Sequence, residues 1–103
     1  MISAPRFVSY FLPFALIGLP VQANPAWMDY TAMRTCIYLE LGYSPQKAGY
    51  EGISDTLQVN VYKDAAIRAF QLDPDAFAID TATVAAKRCP KSLMKATRNH
   101  TGA

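Results

Sequence analysis

The chain has 103 residues, enough for one domain at most, and its net charge is +2. That near-neutral total hides two unlike regions. From Asn24 to Ala86 there are four basic and eight acidic residues, whereas Lys87, Arg88, Lys91, Lys95 and Arg98 follow with no acid among them.

The N-terminus has the three-part order of a secretory signal peptide. Arg6 supplies the positive start, Phe7 to Leu19 form an uncharged and mostly apolar run, and Val21-Gln22-Ala23 offers small residues for cleavage after Ala23. The competing reading is a retained anchor, but thirteen residues fall short of the roughly 20 that a helical span needs. No Cys follows the cleavage site, which argues against a lipid-anchored protein. The expected division is therefore 1–23 as signal peptide, 24–90 as a small helical domain, and 91–103 as a basic, disordered tail. Export would place the protein in a periplasm or outside the cell, away from nucleic acid.

A domain of this size is marginally stable and usually needs a staple. Cys36 and Cys89 are the two cysteines, so a single intramolecular pairing exists. It would close a loop of about 54 residues, worth about 4 kcal/mol in the chain-entropy model. The pair lacks the Cys-x-x-Cys spacing of redox sites, and two Cys with one His are too few for a structural zinc site.

In chain order, Asn24-Pro25 predicts an N-cap and first turn, and the first helix stops at Gly42. Tyr30, Met33, Ile37 and Leu41 form its expected apolar face. Ser44-Pro45 opens a second helix reaching about Gln58, with Tyr50, Ile53 and Leu57 on one stripe. Ala48, Gly49, Gly52 and Thr56 line a neighbouring stripe of small residues, where another backbone can approach closely. Residues 57–62 alternate and could form a short strand. A loop with Asn60 capping a third helix fits better, because Tyr62, Ala66, Ala69 and Phe70 then share a face. Asp73-Pro74 starts a fourth helix that turns Phe77, Thr81, Val84 and Ala85 inward, and Pro90 ends it after Cys89. The fold class expected is all-α: a bundle of about four short helices stapled by one disulfide.

No catalytic constellation stands out. His100 is the single histidine and falls in the expected tail, where no base is held beside a nucleophile. Asp73 and Asp75 read as helix N-terminal charges facing the macrodipole. No glycine loop cradles a phosphate, and nothing calls for a cofactor or metal. Asn99-His100-Thr101 matches the N-glycosylation pattern. Trp27 and five tyrosines after residue 23 suit either a small core or a ligand groove.

In layout the chain resembles the periplasmic acid-stress chaperones: an export signal, Trp27 ahead of the first cysteine, Cys36, and Cys89 near the end of a late helix. The spacing from Trp27 to Cys36 is longer than in that family and the chain is poorer in charge. The resemblance implies an acid-responsive chaperone whose fold loosens as carboxylates protonate. The expected function is otherwise a non-enzymatic binding module of the cell envelope, with a small secreted enzyme as a third possibility. The five basic residues from Lys87 to Arg98 would give weak electrostatic contact with an anionic membrane surface.

Overall fold

The computed structural model describes residues 24–101, and the expected signal peptide and its cleavage site lie outside them. Five helices follow in order: α1 (Ala26–Glu40), α2 (Pro45–Thr56), α3 (Asn60–Leu72), α4 (Pro74–Arg88) and α5 (Pro90–His100). The all-α class holds, but the count of four does not. The segment after Cys89, expected as a disordered tail, forms α5.

The reason lies in the prolines at the last two corners, Pro74 and Pro90. Proline drives the preceding residue out of the helical region and is itself well suited to the first helical position. Asp73 is extended at φ −158° and serves α3 as C-cap and α4 as N-cap, its carboxylate accepting from the Ala76 amide at 3.0 Å. Cys89 repeats the device between α4 and α5 at φ −139°, its amide donating to the Ala85 carbonyl at 3.0 Å but its side chain capping nothing. The signal that ends one helix thus also begins the next.

The other boundaries follow sequence chemistry closely. Ser44 accepts from the Lys47 amide at 3.2 Å. Gly42, at φ +98°, closes α1: its amide bonds the Leu39 carbonyl and the Tyr43 amide bonds that of Tyr38, both at 3.1 Å. Two expected caps are not made. Pro25, not Asn24, is the N-cap of α1, and Asn24 turns its amide to the Asp29 carboxylate at 3.4 Å. Val59, not Asn60, precedes α3, and residues 57–59 are a turn rather than a strand.

α1 packs against every other helix, most extensively against α2 and α4. Its buried face is Trp27, Met28, Thr31, Ala32, Thr35, Cys36 and Leu39, not the expected Tyr30–Met33–Ile37–Leu41 face. Leu41 is 66% exposed. Small side chains win because they let α2 come close. At Gly52 a Cβ would collide with the Thr35 hydroxyl and stand 3.0 Å from both the Thr31 carbonyl and the Thr35 amide. Ala48, Gly52 and Thr56 of α2 are buried there, as the small stripe predicts, while Tyr50 points out. The polar cost of this contact is met locally: the Thr31 and Thr56 hydroxyls lie 2.6 Å apart, with the Trp27 and Gly52 carbonyls also in reach.

Two apolar clusters flank this threonine-rich waist. One joins Trp27, Met28, Ala66 and Phe77 across α1, α3 and α4. The other joins Leu39, Ala48 and Ala96 across α1, α2 and α5. The Cys36–Cys89 disulfide ties the middle of α1 to the α4–α5 corner, with the Cα atoms 6.1 Å apart.

Candidate functional site

α2 and α4 both lean on α1 and leave a groove between them. Its floor is Thr31 and Thr35. Gly49, Tyr50 and Ile53 stand on one side, and Ala78, Ala82 and Ala85 on the other, around about 300 Å³. Ile53 also belongs to a second section of about 390 Å³, where Leu57, Ala66, Ile67, Phe70 and Phe77 are joined by Gln71 as the one polar side chain. Such a lining makes no hydrogen-bond demand on a guest, so what enters gains by leaving water.

The aromatic residues explain why this section stays open. Trp27 stacks on Phe77, with centroids 5.4 Å apart and planes 8° from parallel. Phe70 meets Phe77 edge-on at 5.6 Å. The three rings step outward from the core, and Phe70, expected to face inward with Tyr62, Ala66 and Ala69, is 52% exposed at the groove. Phe77, Thr81 and Ala85 are buried as expected. Ile67 is the large apolar groove residue that sequence reasoning passed over. Its signal was width: Ala66, Ile67, Phe70 and Tyr62 spread apolar surface over more of α3 than one neighbour covers.

Charged groups lie elsewhere. Asp55 of α2 accepts from Arg34 Nε and from the Tyr38 hydroxyl of α1, each at 2.8 Å. Donation to this carboxylate holds the Tyr38 hydroxyl above the ordinary tyrosine range, although the nearby Arg34 acts against it. The same carboxylate, with Tyr38 second, raises Arg34 further. The cluster pins α1 to α2 and has no nucleophile beside it. His100 sits on α5 with Nε2 3.0 Å from the Gly42 carbonyl, tied to the end of α1. Asp73 and Asp75 occupy the α3–α4 corner and the first turn of α4, the structural places expected of them. Among the described residues no group of three or more His, Cys, Asp or Glu is arranged to hold a metal ion, and no helix is long and apolar enough to cross a membrane.

The basic residues lie on two consecutive helices, with Lys87 near the N-terminal end of α1 and Lys95 near its C-terminal end. Lys87 and Arg88 end α4, and Lys91, Lys95 and Arg98 lie on α5, all exposed. Asn99 is exposed near the end of the same helix. No protein-family model, no curated protein and no solved structure matches the chain.

Proposed function

We propose that the protein is a non-enzymatic binding module whose groove between α2, α3 and α4 receives an apolar ligand. The observation that carries this reading is the lining of Ile53, Leu57, Ile67, Phe70 and Phe77, gathered from three helices around open space. Monomeric domains seldom leave contiguous apolar surface uncovered without a binding role. The disulfide favours an oxidising compartment, and this, with the leader expected at residues 1–23, supports a location outside the cytoplasm.

Titration with the neutral dye Nile red tests it. The chain should enhance and blue-shift the dye saturably, and Phe70→Gln with Ile67→Gln should weaken binding at least about tenfold, as expected when two large apolar contacts are lost. Unchanged affinity in that variant, with its helical dichroism intact, would remove the groove from the account.

A second reading, the acid-responsive chaperone, rests on Asp55. It is the one carboxylate joined to both a guanidinium and a phenol across α1 and α2, so protonating it removes an interhelical tie. Dye fluorescence that rises as pH falls toward 2, and that Asp55→Asn reproduces at pH 7, would favour this reading.

A further inference from the structure

We infer that the outward face of α5, continued by the end of α4, docks the protein on an anionic membrane surface. Lys91, Lys95 and Arg98 fall at i, i+4 and i+7 and so share one face of an ordered helix. Lys87 and Arg88 extend the positive surface across the Cys89 corner. All five are exposed, and among the described residues the one ion pair is Arg34–Asp55, so none of the five is held in a salt bridge, although Glu40 borders the same cavity as Lys95 and Asp80 the same cavity as Lys87. No acid occurs from Lys87 to the end of the chain.

The direction of the face is fixed from behind. Ala96 is buried in the cluster with Leu39 and Ala48, and Leu93 packs beside it, on the side of α5 opposite Lys91 and Lys95. The helix is held at one end by the Cys36–Cys89 disulfide and at the other by His100 against the Gly42 carbonyl. The charges therefore point together, where a mobile tail would scatter them.

A lipid surface suits this face better than a folded acidic partner. Protein interfaces centre on aromatic anchors seated in pockets, and here the exposed apolar residue is Met94, a flexible thioether at 59% exposure among the cations. Long-stemmed cations around a shallow apolar residue match headgroups and the boundary beneath them. No residue lining the apolar groove belongs to α5, so this docking stands or falls independently of the groove.

The test uses the disulfide-bonded chain from Asn24 onward, which holds all five helices and omits the apolar run of 7–19 that would itself enter lipid. Co-sedimentation with phosphatidylglycerol–phosphatidylcholine vesicles should show binding that falls steeply with salt and is absent with phosphatidylcholine alone. Replacing Lys91, Lys95 and Arg98 by Gln should weaken binding about fivefold per charge, and about a hundredfold for the three together. Replacing Lys47, Lys63 and Arg68 by Gln changes the net charge equally on other helices and should cost far less. Lys91→Arg with Lys95→Arg should bind as the parent does, and dichroism checks the fold of each variant. Equal losses from the two triple variants, retained binding by the α5 variant, or tighter binding to soluble polyglutamate than to the anionic vesicles at equal total charge and salt would overturn the proposal, the last assigning the face to an acidic protein.

Discussion

At the N-terminal end of α1, Trp27 and Met28 pack with Ala66 and Phe77. At its C-terminal end, Leu39 packs with Ala48 and Ala96. The first cluster is built on stacked rings, the second on Leu39 and two alanines, edged by Tyr38 and Tyr43, with a disulfide alongside. Rings hold helices apart, and α3 covers the resulting space only in part, so the groove opens beside Phe77. Alanine lets backbones approach, so the C-terminal end buries little apolar volume, leaves a smaller cavity of about 180 Å³ beside Leu39 and Ala96, and carries the covalent tie. Bulk, which most readily signals a core, here marks the region that stays open.

Removing the tie should have the largest effect. Cys36→Ser with Cys89→Ser frees a sequence separation of 53 residues, a loss of about 4 kcal/mol in the chain-entropy model. Urea unfolding measures it. Hydrogen exchange should speed more at Leu93 and Ala96 than at Trp27 and Phe77. The reverse order would show that the disulfide serves the aromatic cluster instead.

The waist between the clusters offers a paired test in one helix. Gly52→Ala forces a methyl group into Thr35 and the α1 backbone and should destabilise by about 2 kcal/mol. Gly49→Ala meets nothing within 4 Å and should stabilise by up to about 1 kcal/mol through helix propensity. Opposite signs are the expected result in thermal unfolding. Like signs would mean that α2 does not approach α1 as closely as described.

A smaller effect belongs to the Asp55 cluster near the C-terminal end. The Tyr38 hydroxyl titrates above its ordinary value of about 10 because it donates to the Asp55 carboxylate. A raised folded value means that its contribution is complete below the unfolded value and is lost as pH rises through the folded one. The parent should therefore lose stability above about pH 10, more steeply than Tyr38→Phe, which lacks the bond throughout. Parallel curves for the two would remove Tyr38 from the α1–α2 tie.

Much of this fold was legible because its corners are written in local chemistry. Ser44-Pro45, Asp73-Pro74 and Gly42 set boundaries that tertiary contacts do not override, and the small stripe of α2 announced a close approach. The packing face of α1 was not legible, since a count of large apolar residues passes over Thr31, Ala32 and Thr35, which are buried. α5 was missed for the same reason: its inward side is little more than Leu93 and Ala96. Cys89-Pro90 repeats Asp73-Pro74 as a corner, and reading Pro90 only as a stop concealed that. The groove was legible least, because it depends on how three helices fail to cover one another, which no single helix encodes.

The most direct test of the groove is residue-resolved amide chemical-shift mapping of the disulfide-bonded chain titrated with Nile red. Shifts concentrated at Ile53, Leu57, Ile67, Phe70 and Phe77, with Leu39, Ala48 and Ala96 unmoved, are the predicted result. Shifts centred on the C-terminal cluster, or spread evenly over all five helices, would contradict the assignment of the open aromatic end as the binding surface.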